Sequence, residues 1–272
     1  MAALQLFLQE RATAGLVPWQ IQAEAAAHFG LSLAAVEAAI FEADLLPARY
    51  QRNRQMISTA QQQRLFGSTV AVVGAGGLGG YILEQLARLG VGRIIAIDDD
   101  LFEENNLNRQ LLSSPARLGQ AKVKAAAERI AEINPAVTLQ PEMARFERAS
   151  GAALLRGATC VVDAVDNVGT RLDLEKVCEE LGLPLVSGAI AGWYGQVGTV
   201  FPGERTLEKV YRHWRGGAGV EQQLGNPSFT PAVIASIEVA EVCKLLLETG
   251  RLLRNRLFNL NLLDMEADEI PL

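Results

Sequence analysis

The pattern of apolar and polar positions in the middle of the chain predicts a βαβ unit. A β-branched apolar run, residues 69–73, leads into a glycine-rich stretch, residues 74–79, and apolar residues then recur at helical spacing over residues 81–89. Gly90 is predicted to end this helix, and a second short apolar run, residues 94–97, follows it. Strand, glycine turn, helix and strand in this order are typical of α/β proteins.

The pattern continues toward the C-terminus and predicts further strands alternating with helices. Residues 172–181 and the strongly apolar residues 231–247 are predicted helices, the second ending near Gly250. Residues 202–228 are polar and lack periodicity, so an irregular loop is expected there. The remaining predicted strands are residues 137–140, 159–167, 184–187, 193–201 and 257–263.

These elements predict the fold class and a division into two parts. We expect an α/β fold with a Rossmann-like, mostly parallel sheet, helices on both faces, and antiparallel strands extending the sheet. Residues 49–272 would form this domain. Residues 1–48 are rich in Ala and Leu at helical spacing and would form a small helical segment before it.

The N-terminal segment has the spacing of a helix-turn-helix, with Gly30 in the turn and Ser32 as the N-cap of the second helix. That second helix carries Glu37, Glu42 and Asp44 without a Lys or Arg, so it would repel DNA phosphates. The net charge of −6 also argues against broad nucleic-acid binding. We therefore predict a docking module and no DNA binding.

Composition narrows the class of protein further. No apolar run reaches the length needed to span a bilayer, and the first residues lack a signal-peptide profile, so we expect a cytoplasmic protein that does not bind membranes. The 3 cysteines include no CxxC pair, which predicts neither a disulfide framework nor a zinc site. Cys160, Cys178 and Cys243 lie in apolar segments and are expected to be inert core thiols.

The glycine turn predicts a nucleotide site. Gly74, Gly76 and Gly79 match the G-x-G-x-x-G pattern, in which glycine permits the tight turn, close phosphate approach and helix packing on the strand. The helix N-terminus would present free N–H groups to the anion. Asp98 follows the second strand about twenty residues later, where a ribose-binding acid is expected.

Charged residues at predicted strand ends favour phosphate chemistry over hydride transfer. Hydride transfer usually needs His or Tyr as a proton donor, and the only two histidines lie in the N-terminal segment and the irregular loop. Asp98, Arg109, Lys122 and Asp166 instead follow strands or open helices, and two cations near a nucleotide would offset charge on its phosphates.

In combination, these motifs resemble the ThiF/MoeB/HesA-type adenylyltransferases, E1-like relatives of the ubiquitin-activating enzymes, from about Arg49 to the C-terminus. Besides the glycine turn and Asp98, the matching motifs are Asn53-Arg54-Gln55, Asn105-Asn106-Leu107-Asn108-Arg109-Gln110, Gly119-Gln120-Ala121-Lys122-Val123, Asp166-Asn167, Ser187-Gly188 and Gly195-Gln196-Val197.

The resemblance implies an enzyme that adenylates the C-terminal glycine of a small ubiquitin-like sulfur-carrier protein ending in Gly-Gly, with ATP and Mg²⁺ and release of pyrophosphate. It implies a homodimer in which Arg54 reaches the partner subunit's ATP, and Mg²⁺ held by Asp166. The catalytic residues it implies are Arg54, Arg109, Lys122 and Asp166. The nucleotide-binding residues it implies are Gly74, Gly76, Gly77, Gly79, Asp98, Asn105, Asn106, Arg109, Lys122, Asp166 and Asn167.

One departure from the family and two alternatives stay open at this stage. Many relatives hold a structural zinc through two CxxC pairs, which this chain lacks, so no structural zinc is expected. The same chemistry on a peptide or a modified tRNA base is one alternative. A nicotinamide-dependent oxidoreductase or a non-catalytic nucleotide-binding scaffold is the other.

Overall fold

The computed structural model describes residues 2–216 and 224–272, and its main elements there are the ten α-helices and ten strands given below. The helices are α1 Ala2–Arg11, α2 Trp19–Phe29, α3 Leu33–Glu42, α4 Thr59–Phe66, α5 Gly77–Leu89, α6 Lys122–Ile133, α7 Arg148–Leu154, α8 Val168–Leu181, α9 Thr206–Val210 and α10 Phe229–Leu247. The strands are β1 Leu16–Val17, β2 Leu46–Pro47, β3 Thr69–Val73, β4 Arg93–Ile97, β5 Thr138–Glu142, β6 Cys160–Asp163, β7 Leu185–Ala191, β8 Tyr194–Val200, β9 Arg256–Asn261 and β10 Glu266–Pro271.

Eight strands form one mixed sheet in the order β10-β9-β8-β7-β6-β3-β4-β5. Strands β3 to β7 run parallel, whereas β8, β9 and β10 are each antiparallel to their neighbours. The predicted fold class is therefore confirmed. The chain reverses its direction across the sheet between β3 and β6, which is where open α/β sheets form a ligand crevice.

The parallel strands are apolar on both faces because helices cover both. Val70 and Val72 of β3 pack with α5, α6 and α10 on one face, and Ala71 and Val73 pack with α7 and α8 on the other. A strand buried on both sides reads as a continuous apolar run, which explains the pattern of residues 69–73.

Helices α1 to α3 form a smaller unit with its own core, built from side chains such as Leu4, Leu8, Val36 and Ile40. Helix α2 ends at Phe29 with Gly30, at φ +62°, as its C-cap, and the hydroxyl of Ser32 accepts a 3.2 Å hydrogen bond from a backbone N–H of α3. The predicted cap is therefore correct. The two helices bend by 111°, and among the described residues no single helix is long and apolar enough to cross a membrane.

Two sequence-based predictions outside the parallel sheet were wrong, and one strand was missed. Helix α10 ends at Leu247 with Glu248, at φ +52°, as its C-cap, so Gly250 does not end it. The predicted irregular loop contains helix α9, and its residues 217–223 lie outside the described part of the chain. The hairpin partner of β9, strand β10, was not predicted at all.

Candidate functional site

A crevice of about 1490 Å³ opens at the carboxyl ends of the parallel strands. The glycine turn, the end of β4, the loop after β6 and the N-terminus of α6 form one side, and the antiparallel strands β8 to β10 form the other. Of the predicted site residues, the crevice brings together Gly74, Gly76, Gly77, Asp98, Asn105, Arg109, Lys122, Asp166 and Asn167.

Two glycines of the turn are required by the backbone geometry. Gly74 has φ +96°, and a Cβ at this position would lie 2.5 Å from the carbonyl oxygen of Ala164. A Cβ at Gly79 would lie 1.8 Å from the carbonyl oxygen of Gly74, so only glycine lets α5 pack on the turn. Helix α5 begins at Gly77, and Gly76, Gly77 and Leu78 line the crevice, so the helix N-terminus with its free N–H groups borders the crevice.

Asp98 ties the end of β4 to the glycine turn. Its carboxylate accepts hydrogen bonds from the backbone N–H of Ala75 at 2.7 Å and of Asp100 at 2.8 Å. Burial raises the pKa of the Asp98 carboxyl, and the charge of Lys122 and these two bonds oppose that rise. Sequence reasoning missed this structural role, and ribose binding by Asp98 stays a prediction.

Lys122 stands at the first position of α6 with only 6% of its surface exposed. Its Nζ lies 2.7 Å from a carboxylate oxygen of Asp100, whose own side chain is largely exposed. The ammonium is therefore held at the wall of the crevice by a single side-chain ion pair. The acids of residues 98–100 approach one another closely, but Asp98 and Asp100 are already engaged by these contacts.

Arg109 is held by the loop that precedes it. Its Nη1 donates to the carbonyl oxygen of Asn105 at 2.8 Å and to the side-chain oxygen of Asn108 at 2.9 Å. Asn106 is the buried residue of this loop. Its Oδ1 accepts from the N–H of Glu103, and its Nδ2 donates to the Asn105 side chain. Asn105 lines the crevice, so Asn106 supports it from behind.

Asp166 and Asn167 follow β6 at the edge of the crevice. The Asp166 side chain is exposed and lines the crevice. Asn167 is the N-cap of α8, because its Oδ1 accepts a 2.8 Å hydrogen bond from the N–H of Thr170. A carboxylate open to the crevice is the type of ligand that Mg²⁺ takes beside a nucleotide's phosphates, so Asp166 fits a magnesium role.

Arg54 lies outside the crevice of its own chain. Its side chain is exposed, and Nη1 donates a 3.1 Å hydrogen bond to the carbonyl oxygen of Ala14 in the N-terminal segment. The structure thus brings Arg109, Lys122 and Asp166 together and leaves Arg54 apart from them.

Several crevice residues were not predicted as site residues from the sequence. Arg171, Tyr211 and the acids Glu266 and Asp268 of β10 also line the crevice. Arg171 falls five residues after Asp166, so it lies one helical turn beyond the N-cap of α8. This helical spacing could have identified Arg171 from the sequence. Nothing in the sequence of β10 indicated a role for Glu266 and Asp268.

The cysteines lie away from this chemistry. Cys160 and Cys178 are buried, and burial raises the pKa of both thiols to about 12. Cys243 is half-buried, and burial raises its pKa as well. All three are therefore thiols, not thiolates, at neutral pH.

Comparison with known proteins identifies relatives of the chain. A sequence model of the ThiF family matches residues 50–272. The chain is 35% identical over 227 residues to the SAMP-activating enzyme E1 of Haloferax volcanii, spanning 82% of this chain and 84% of that protein. It is 36% identical over 209 residues to the molybdopterin-synthase adenylyltransferase of Salmonella typhimurium, spanning 73% and 82%.

Solved structures agree in fold. The crystal structure of Escherichia coli MccB superposes with a TM-score of 0.72 at 20% identity, covering 82% of this chain and 69% of that one. The structure of PaaA superposes with a TM-score of 0.69 at 23% identity, covering 82% and 72%. At this level of identity the likeness concerns the fold alone.

Proposed function

The chain belongs to the ThiF family, and from this premise we propose that it adenylates the C-terminal carboxylate of a small ubiquitin-like sulfur-carrier protein at the expense of ATP. The names of its relatives, a SAMP-activating enzyme and a molybdopterin-synthase adenylyltransferase, support this activity. The observation that carries the proposal is that Arg109, Lys122 and Asp166 line one crevice with the glycine turn.

In the proposed reaction, an oxygen of the carrier's C-terminal carboxylate attacks the α-phosphorus of ATP. A new phosphorus–oxygen bond forms, the bond between the α- and β-phosphates breaks, and pyrophosphate leaves with the electron pair. A carboxylate is already ionised at neutral pH, so no side chain has to act as a base. Arg109 and Lys122 would stabilise the negative charge that builds on the phosphates.

Asp166 is the residue that would hold Mg²⁺ in this site. A bound Mg²⁺ would neutralise charge on the phosphates. The exposure of Asp166 toward the crevice supports this role, and Asn167 fixes the backbone beside it by capping α8. Asp98 would contact the ribose, and the N–H groups at the start of α5 would contact phosphate.

We also propose that the enzyme is a homodimer in which Arg54 reaches the ATP of the partner subunit. Its exposed side chain outside its own crevice supports this role. Its one side-chain hydrogen bond among the described residues is to the Ala14 carbonyl, and a new partner would replace this bond at little cost.

ATP–pyrophosphate exchange with a panel of sulfur carriers ending in Gly-Gly tests the proposal. We expect exchange with at least one carrier, and we expect Lys122→Ala to lower its rate roughly 10²–10³-fold because a fixed cation beside the phosphates is lost. Lys124→Ala is the matched control, since Lys124 is exposed on the same helix. The proposal fails if no carrier supports exchange, and Lys122 leaves the mechanism if its variant exchanges normally.

Adenylation of a peptide or of RNA would appear in the same experiment as a different result. Exchange would then depend on the peptide or RNA and not on the carriers. Quenching of Trp193 or Trp214 fluorescence by NADH but not by ATP would instead favour an oxidoreductase. Both tryptophans are partly exposed, and Trp214 lines the crevice.

A further inference from the structure

Arg171 lies beneath the crevice in the first turn of α8 and is 5% exposed. Its guanidinium contacts three groups, two of them at the end of β6 and in the loop after it and the third just after α9. Nη2 donates to the carbonyl oxygen of Val165 at 2.8 Å, Nε lies 3.3 Å from a carboxylate oxygen of Asp163, and Nη1 donates to the hydroxyl of Tyr211 at 3.3 Å. A planar guanidinium held in this way has one orientation only.

The backbone next to Asp166 is fixed on both sides. The N–H of Val165 donates to the Asp163 carboxylate at 3.1 Å, while its carbonyl accepts from Arg171. On the other side, Asn167 caps α8. No hydrogen bond holds the Asp166 carboxylate itself among the described residues, so its position depends on these neighbours.

Tyr211 carries the same network into the opposite wall of the crevice. Its hydroxyl also accepts a 3.3 Å hydrogen bond from Nε2 of Gln196 on β8, and both side chains line the crevice. Tyr211 directly follows α9, whose first backbone N–H groups donate to the Glu175 carboxylate of α8 at 2.7 and 2.9 Å. Helix α8 therefore holds α9 at two points, Glu175 and Arg171.

We propose that Arg171 is a positioning residue that joins the turn bearing Asp166 to the wall bearing Tyr211, so that Asp166 and Tyr211 keep a fixed position relative to each other. The inference rests on the proposed function, because it gives Asp166 its role. A purely structural Arg171 would instead serve only as the buried partner of Asp163.

The two substitutions that separate these roles are Arg171→Lys and Tyr211→Phe. Lysine keeps the charge beside Asp163 but cannot reach the Val165 carbonyl and the Tyr211 hydroxyl together. Phenylalanine keeps the ring and removes only the hydroxyl. Arg148→Lys is the matched control. Arg148, the first residue of α7, forms an exposed ion pair with Glu180 of α8, the helix that carries Arg171.

In pyrophosphate exchange, we expect Arg171→Lys to lower kcat about 10- to 100-fold and Tyr211→Phe several-fold, with KM for ATP within about two-fold of wild type. The control should keep the wild-type kcat. If both variants keep the wild-type kcat at a temperature where they are folded, even with a lower Tm, the positioning role is overturned. If Arg171→Lys does not fold, the result for Tyr211→Phe decides.

A second readout is the affinity for Mn²⁺ in the presence of a non-hydrolysable ATP analogue, followed by electron paramagnetic resonance. We expect Arg171→Lys to weaken Mn²⁺ binding by about the same factor as Asp166→Asn, since both disturb the same ligand. An affinity equal to wild type would contradict the inference. If the wild type shows no exchange with any carrier, the proposed function fails, and this titration still tests Arg171.

Discussion

Two buried polar networks, one at the junction with the N-terminal segment and one beneath the crevice, both place an acid near an arginine and a tyrosine. At the junction, Glu37 of α3 accepts a 2.8 Å hydrogen bond from the hydroxyl of Tyr50, and its second oxygen has no partner among the described residues. Beneath the crevice, Asp163 accepts from Ser187 and lies beside Arg171.

The difference lies in what each network faces. The junction is closed to solvent, because Tyr50, Glu37 and Asn134 are all almost fully buried. Asn134 donates to the Tyr50 hydroxyl at 3.0 Å. The other network reaches the crevice through Arg171 and Tyr211. We therefore expect changes at the junction to alter stability alone and changes at the crevice to alter activity.

The largest effect is expected for Asp166→Ala. Exchange should fall roughly 10²–10³-fold because a charged group facing the phosphates is lost, whereas the free energy of unfolding should stay within about 0.5 kcal/mol since the side chain is exposed. Exchange assays and urea unfolding measure the two quantities. Normal exchange would remove Asp166 from the mechanism, and a large loss of stability would break the contrast with the junction.

The next effect is a pH dependence of stability from Glu37. Burial raises the pKa of its carboxyl from 4.5 to about 7, while the Tyr50 hydrogen bond and Arg49 oppose the rise. The folded state therefore keeps a proton that the unfolded state loses, so this contribution to stability falls as pH rises from 4.5 to about 7. The shift corresponds to at most about 3 kcal/mol.

Glu37→Gln cannot ionise and should remove this slope. Compared with wild type, the variant should gain up to about 3 kcal/mol in unfolding free energy between about pH 5 and about pH 8, measured by urea unfolding. The exposed Glu24→Gln, in the same segment, is the control. Parallel pH profiles of wild type and Glu37→Gln would show that Glu37 does not titrate in this range.

The smallest effect is expected for Tyr50→Phe. Loss of the hydroxyl removes the donor to Glu37 and the acceptor for Asn134, although Asn134 keeps its 2.8 Å bond to the Ala87 carbonyl. We expect a loss of about 1–2 kcal/mol in unfolding free energy and an unchanged rate of exchange. A fall in exchange at full folding would mean that the junction communicates with the crevice.

The parallel half of the fold was predictable from the sequence because its signals are local. Residues 69–97 carry the apolar runs and the obligatory glycines next to one another, and the structure places strands, turn and helix there as predicted. Strand β10 was not predictable, because its residues Glu266–Pro271 are all exposed and carry no apolar pattern. The segment forms a strand because it pairs with β9, a contact that its own sequence does not indicate.

The candidate site divides in the same way. Arg109, Lys122 and Asp166 could be named because each follows a strand or opens a helix in a recognisable motif. Arg171 and Tyr211 are forty residues apart, and only the tertiary structure brings them together. The hydrogen bond from the Ala75 N–H to Asp98 likewise depends on the relative placement of β4 and the glycine turn.

Strand β10 has a consequence for how this protein behaves in concentrated solution. It is one of the two outer strands of the sheet formed by the described residues, and such an edge is a template on which further chains can add and grow into fibres. Glu266, Asp268 and Pro271 protect this edge, because like charges repel an incoming copy and proline lacks an N–H to offer.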